Sequence, residues 1–371
     1  MKIAIYTENL LLNSGGAEVY ALKLADILSN IHSVTIITRY VDKIDVKSIY
    51  QKYNSKIFPT VQLKRCVYKS SIKELLSRII FWYKLKNEIE RNKYDYYINT
   101  SCNRMIGFTK THSIHLIHFP VQPYSKVFKK FIGKFLDNKY KKSYYQFWTN
   151  SRFTESYLRK WWGLESIVVN PPIDMRRINE EEIKKKQNTI IMVGRLVPDK
   201  KIKELAELFL SIKSSLKSFE LIIVGNQDSN YLDYYYKLKE LEKQNDCIKI
   251  LSDVSYNVLV SEYKKAKLFW HGKGFDVDET NPLLMEHFGM TTVEAMANGC
   301  VPVVINKAGQ KEIVENKISG YLWDDLEQLK EFTISLSNDE AKVLEFSKNA
   351  IKRSESFLMP AFAKKINSLI K

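Results

Sequence analysis

EHFGMTTVEAMANGCVPVVI, residues 286–305, sets two carboxylates, Glu286 and Glu294, around a turn that opens a helix and leads into a strand. Gly289 permits the tight turn, Thr291 and Thr292 are suited to cap the helix, and residues 293–297 are helix-compatible. The amides of residues 289–292 are then expected to point outward from a helix N-terminus, where the dipole and the unsatisfied N–H groups favour an anion. Carboxylates nearby accept hydrogen bonds from hydroxyls. Phosphate donors beside hydroxyl acceptors suit a ligand such as a nucleotide sugar. Taken alone, two glutamates eight positions apart are usually solvated helix surface, so the reading needs support from the rest of the chain.

Outward from this stretch, short apolar runs at 190–193, 221–224, 248–251, 268–270 and 301–305 are separated by helix-sized intervals. The N-terminal half has the same rhythm, with runs at 3–6, 34–38, 96–98 and 114–117 and a helix expected over 17–29. Alternation of this kind predicts parallel α/β structure, and each half reads as Rossmann-like. Between the halves, VVNPPI at 168–173 ends a strand with two prolines ahead of the polar run 176–188, and the hinge is placed there. The expected domains are 1–170 and 171–353, followed by a tail at 354–371 in which Phe357, Leu358, Met359, Phe362 and Ile366 fall near helical spacing and Pro360 starts or kinks a helix.

A chain of 371 residues is too long for one ordinary core. With 45% hydrophobic and 27% charged residues it is globular rather than disordered. Cys66, Cys102, Cys247 and Cys300 lack the spacing of a zinc site or a disulfide framework, which fits a reducing compartment. The N-terminal MKIAIY is already strand-like and no apolar run is long enough to span a bilayer. A cytoplasmic protein is expected. The net charge of +16 predicts attraction to polyanions, whether anionic lipid, nucleic acid or phosphorylated substrate.

With HFG between the two carboxylates and Gly299, Pro302 and Val303 after them, the opening stretch resembles the signature of the family-four retaining glycosyltransferases (glycosyl transferases group 1). The likeness runs nearly end to end through GGAE (15–18), HFP (118–120), GRLVPDK (194–200) and WHGKGF (270–275), in the family's order. It implies the GT-B fold: two Rossmann-like domains facing a cleft, with the C-terminal helix crossing back to the N-terminal domain. The N-terminal domain would bind the acceptor, a glycan or lipid-linked glycan, and the C-terminal domain a nucleotide sugar, UDP-sugar or GDP-sugar, with no further cofactor and no metal. Glu294 would hold ribose hydroxyls, Glu286 the sugar's hydroxyls, and Phe288, Gly289, Met290 and Thr291 would line the phosphates. Val254, in the loop 252–255, would lie near the base. Arg195 and Lys200 would hold the pyrophosphate, His118 would lie near the donor sugar, and Gly16 would face donor phosphate or acceptor. Lys201 stands where the family often has glycine. Retention by front-face attack needs no enzyme nucleophile, so His118, Glu286, Arg195 and Lys200 form the expected catalytic set.

The residues also bear readings independent of that likeness. Gly15 and Gly16 after a strand allow a backbone to approach phosphate, or simply make a tight turn; no G-x-G-x-x-G is present and the second strand ends in Thr38 and Arg39 rather than an acid, which weakens a dehydrogenase reading. His115 is expected to pack, and His271 sits in a loop bent by Gly272 and Gly274. The Asp276, Val277, Asp278, Glu279 run contains an Asp-x-Asp that other glycosyltransferases use for a divalent ion, and is read here as a solvated loop. Two basic, aromatic-rich stretches stand out, 72–94 and 126–142; in the second, Val127, Phe128, Phe131, Ile132, Phe135 and Leu136 share one helical face among lysines, the pattern of an interfacial helix. Peripheral contact with the anionic inner face of the cell membrane follows, while no nucleic-acid module accompanies the charge. The expected function is transfer of a sugar in surface polysaccharide biosynthesis. Its rival is a non-catalytic basic protein that keeps the fold and binds membrane or nucleic acid.

Overall fold

The structure is a computed structural model in which residues 1–8, 16–40, 55, 60–64, 71–101, 107–108, 110–122, 138–216 and 218–371 are described. The chain divides into two compact units, Met1–Pro172 with Phe362–Lys371, and Ile173–Ala361.

In the first unit, β1 (Lys2–Thr7), β2 (Ser33–Tyr40), β3 (Thr60–Lys64), β4 (Tyr96–Asn99), β5 (His112–Ile117), β6 (Gln146–Thr149) and β7 (Ile167–Val168) form a seven-stranded sheet in the order β3-β2-β1-β4-β5-β6-β7. All of its pairings are parallel. The strands read as unbroken apolar runs because both faces are covered: Ile3 and Ile5 enter one core cluster while Ala4 and Tyr6 enter another. Of the tail, only Phe362–Lys371 belongs to this unit; Phe357 and Leu358 pack into the core of the second. Helix Met359–Leu369, with Pro360 in its first turn, brings Phe362, Ile366 and Ile370 into the core that contains Ile3 and Tyr20. The Phe362 and Tyr20 rings meet edge to face with centroids 5.4 Å apart, and the Tyr96 hydroxyl donates to the Lys371 carbonyl at 3.3 Å.

The second unit repeats the plan. β8 (Gln187–Val193), β9 (Glu220–Gly225), β10 (Ile248–Ser252), β11 (Ala266–His271), β12 (Val301–Ile305) and β13 (Tyr321–Trp323) form an all-parallel sheet in the order β10-β9-β8-β11-β12-β13. Ile190 and Met192 face one core cluster and Ile191 the other, so β8 is again buried on both sides. Strand order reverses between β1 and β4 in one sheet and between β8 and β11 in the other. Such a reversal opens a crevice at the carboxyl ends of the strands, where open α/β sheets bind ligands.

The sequence reading located the main strands to within a few residues, ended a strand at the VVNPPI run where β7 stands, and missed β3, β6 and β13. The last two have four and three residues, which leaves little period to read. Of the two basic stretches, 72–94 is mostly the helix Ser71–Asn92, while most of 126–142 lies outside the described residues. Cys66 and Cys102 lie outside them too.

Candidate functional site

The loops after β8 and β11, the two strands at the switch point, carry the expected chemistry. Backbone closeness shapes the first. Gly194 N–H bonds the Val224 carbonyl at 3.1 Å, and Gly225 lies so near that a Cβ on it would fall 1.8 Å from the Gly194 carbonyl oxygen. The chain then turns through Pro198–Lys200 into helix Ile202–Ile212, with Lys201 in the left-handed region at φ 58°. That conformation is free to glycine and costs another residue about 1 kcal/mol, which is the physical content of the family's frequent glycine there. Lys201 offsets part of the cost by pairing with Glu204 at 3.5 Å.

The second loop starts at His271 and is tied to the first by Lys273, whose ammonium lies 3.3 Å from the Asp199 carboxylate. A Cβ on Gly272 would meet Leu205 Cδ1 at 2.8 Å, so the loop lies close against helix Ile202–Ile212 and a side chain there would make Leu205 shift. Lys307 donates to the Gly274 and Val277 carbonyls at 3.2 and 2.9 Å and holds the far side. Within the acidic run 276–279, Asp278 accepts from the Thr280 amide at 2.7 Å. Among the described residues no group of three or more His, Cys, Asp or Glu is arranged to hold a metal ion.

Glu286 is the hub. Its Oε2 accepts from Lys200 Nζ at 2.6 Å and from His271 Nε2 at 3.2 Å, and both partners are more than four-fifths buried. Burial alone would raise this carboxyl, but the Lys200 cation, the His271 bond and Lys273 override it and hold the group well below the usual carboxylate range. Glu286 is therefore ionised, and no protein partner occupies its Oε1 among the described residues. His271 itself is pushed below its ordinary value by burial, against the pull of Glu286. The sequence reading named Glu286 and Lys200 but left His271 without a role. The signal was its place directly after a strand, one loop ahead of the carboxylate pair.

The helix after Glu286 corrects the cap assignment. Gly289, at φ 119°, is the N-cap of helix Met290–Ala297, and neither Thr291 nor Thr292 caps it. The Thr292 amide is already used by the Gly289 carbonyl at 3.1 Å, so the outward amides are those of Met290 and Thr291. Phe288 is a core residue, 3% exposed and packed on Phe357 with ring centroids 5.7 Å apart, which removes its side chain from any ligand site. Val254 and Met290 are partly packed on that core and partly exposed.

Glu294, one face further along this helix, accepts from the Tyr263 hydroxyl at 3.1 Å through Oε2. Burial raises its carboxyl to about 7, opposed by the Tyr263 bond. The Thr291 carbonyl lies 3.3 Å from the same hydroxyl and shares its one proton with the nearer Glu294 oxygen, which places the acid beside the helix start. Arg195 does not join Lys200: it is exposed and pairs with Asp228 at 3.3 Å. In the first unit, His118 follows β5 and shares a 3.2 Å hydrogen bond between Nε2 and the Thr100 carbonyl; burial lowers it to about 4, so it is neutral near pH 7. His115 packs as expected, with Nε2 2.9 Å from the Ser101 carbonyl. Gly16 opens helix Gly16–Leu28 and is exposed, while Ser14 and Gly15 lie outside the described residues.

Comparison with known proteins agrees with this plan. Residues 175–353 match the family model described as Glycosyl transferases group 1. A GDP-Man:Man(3)GlcNAc(2)-PP-Dol alpha-1,2-mannosyltransferase of Dictyostelium discoideum is 24% identical over 60% of this chain and 46% of its own length. A poly(glycerol-phosphate) alpha-glucosyltransferase of Bacillus subtilis is 23% identical over 53% and 27%. The chain thus spans about half the length, or less, of the curated relatives it matches. Among solved structures, Anabaena HepE in complex with UDP superposes with a TM-score of 0.75 at 16% identity, covering 100% of this chain and 99% of that one. The sucrose-phosphate synthase of Thermosynechococcus elongatus superposes with 0.71 at 16% identity, covering 99% and 98%. The chain has the GT-B fold, and its residues 175–353 carry the match to the Glycosyl transferases group 1 model.

Proposed function

We propose that this protein transfers a sugar, with retention of configuration and without a metal, from a nucleoside diphosphate sugar to a hydroxyl of a glycan or lipid-linked glycan. Assembly of a surface polysaccharide is the proposed setting. The observation that carries the reading is the Lys200–Glu286–His271 cluster set directly before the free amides of Met290 and Thr291, with Glu294 in the same helix. An ionised Glu286 has Oε1 for sugar hydroxyls. The helix start and Lys200 offer positive charge to the phosphates, and Arg195 could swing from its exposed pair with Asp228 to join them. A departing phosphate oxygen would take the acceptor's proton, stabilised by these donors, so no nucleophile on the protein is required. Glu294 Oε1 would take the ribose hydroxyls. HepE was solved with UDP, and the relatives' names include a GDP-mannose enzyme; both support a nucleoside diphosphate donor.

The reading ties nucleotide binding to a proton. The folded Glu294 carboxyl titrates above its ordinary value, so its contribution to stability is full below that ordinary value and is lost as pH rises through about 7. Ribose hydroxyls donate to the ionised form, so nucleotide binding at pH 6 should expel close to one proton and affinity should rise from pH 5.5 to 8. Calorimetry of UDP and GDP in two buffers of different ionisation enthalpy, with and without magnesium, reads this directly. Micromolar binding of one nucleotide, indifferent to metal and losing its proton release in Glu294→Gln, is the expected result. No binding of either would favour the non-catalytic rival.

Membrane contact has its own support in the helix Ser71–Asn92. Phe81, Leu85 and Ile89 are buried, whereas Leu76, Ile79, Ile80 and Tyr83, the i, i+3, i+4, i+7 stripe, are between 45% and 56% exposed. Lys73, Arg78 and Lys84 are exposed on the same helix. An apolar stripe amid cations fits the surface of an anionic bilayer, each cation contributing ~1 kcal/mol. Among the described residues no helix is long and apolar enough to cross a membrane. The double variant Leu76→Glu, Ile80→Glu should sediment with phosphatidylglycerol vesicles at least about tenfold more weakly than the parent. Equal sedimentation would sink this contact.

A further inference from the structure

Five side chains of the second unit form one continuous hydrogen-bonded line. From Lys200 and Glu286 it passes to His271, whose Nδ1 lies 3.3 Å from Gln310 Nε2, and on to Thr292, whose hydroxyl lies 2.9 Å from Gln310 Oε1. His271, Gln310 and Thr292 are 4%, 0% and 0% exposed, so the line runs inside the core, away from bulk solvent. Gln310 owes its place to Gly289, since a Cβ there would stand 2.7 Å from the amide nitrogen.

The line has one self-consistent direction. Glu286, ionised beside Lys200, only accepts, so His271 Nε2 must carry the proton it donates. A neutral imidazole then has a bare Nδ1, which accepts, and the group facing it must donate. Gln310 meets that demand only with its NH2 toward His271, which leaves its carbonyl oxygen to the Thr292 hydroxyl. In the opposite tautomer a lone pair on Nε2 would face the carboxylate, and both the amide and the hydroxyl would have to reverse inside the core. An imidazolium would force the same reversal, with Lys200 and Lys273 adding repulsion.

We propose that Gln310 is a positioning residue that locks His271 in its Nε2–H tautomer, keeping a second donor on Glu286 Oε2 so that Oε1 is turned out for a ligand hydroxyl. The line joins both sides of the Met290 helix start to the Glu286 carboxylate, so the acid and the amides are set by one network. The role of Oε1 toward a sugar rests on the glycosyltransferase reading above; the tautomer does not.

With six histidines in the chain, long-range proton–nitrogen correlation spectra of the 15N-histidine-labelled full-length protein can resolve the ring, assigned through His271→Gln. The parent should show His271 as a single Nε2–H tautomer near pH 7. Gln310→Leu, which removes the donor facing Nδ1, leaves Glu286 alone to hold the ring, so a minor Nδ1–H form should appear, and kcat for sugar-nucleotide turnover should fall more than KM rises. Gln310→Glu should draw a proton onto Nδ1 and raise the His271 pKa by about one unit or more. Thr292→Val, which keeps the volume and frees the amide to rotate, repeats the tautomer test if Gln310→Leu fails to fold. An Nδ1–H ring in the parent, or a tautomer unchanged in all three variants, would overturn the proposal. A locked tautomer in a protein that turns over no nucleotide sugar would uphold it and overturn the glycosyltransferase reading instead.

Discussion

Glutamine at position 286 is expected to lower kcat for nucleotide-sugar turnover by about 10²–10³-fold, the range for loss of one preorganised electrostatic group, while nucleotide affinity moves by less than about tenfold. The substitution keeps the shape of the side chain and removes the charge that Lys200 and His271 are built around. It also takes from Oε1 its strength as an acceptor of sugar hydroxyls, which act mainly as the sugar is drawn away from phosphate. Lys200, released from its partner, remains free to hold the diphosphate. Steady-state kinetics beside calorimetric titration of the product nucleotide separates the two effects. Parallel loss of affinity and turnover would move Glu286 from positioning the sugar to building the phosphate site.

Alanine at Gly225 should produce the largest loss of stability, ~3 kcal/mol, the upper end of the range for overpacking. Its Cβ would fall 1.8 Å from the Gly194 carbonyl oxygen and 3.0 Å from Leu196 Cδ2. Backbone cannot step aside as a flexible side chain can, and the Gly194 amide is held by Val224. The strain must then move the loop that leads to Lys200, so nucleotide affinity should fall with the denaturation midpoint. Gly163→Ala supplies the contrast. Its φ is positive, at 62°, unlike that of Gly225, and nothing lies within 4 Å of the added Cβ, so it should cost only about 1 kcal/mol and leave nucleotide binding unchanged. Equal behaviour of the two variants would show that the close approach to Gly194 does not govern position 225.

The fold was legible because both sheets are buried on both faces, which writes each long strand as an unbroken apolar run at helix-sized intervals. What stayed hidden was short or depended on register. β13, with three residues, carries no period. Phe288 looked like part of a binding motif because it lies between the carboxylates, yet its side chain turns into the core against Phe357. The position of the cap depended on φ at Gly289, which the sequence permitted without requiring. Lys200 and Glu286 were both named, but their contact spans 86 positions and no local pattern encodes it. Gln310 escaped notice for the same reason, since its partners lie 18 and 39 positions away.

The return of residues 362–371 to the first unit sets an order of assembly. During synthesis the first unit's sheet can be complete long before Phe362, Ile366 and Ile370 exist, and the face around Tyr20 and Ile3 lacks that cover while the whole of Ile173–Ala361 is made. At 5–20 residues per second that interval lasts roughly 10–40 s. The second unit, contiguous in the chain, has every residue of its core by the end of the interval. It is therefore the part able to finish folding first, although it is made second, and the unit that begins the chain is the last to close.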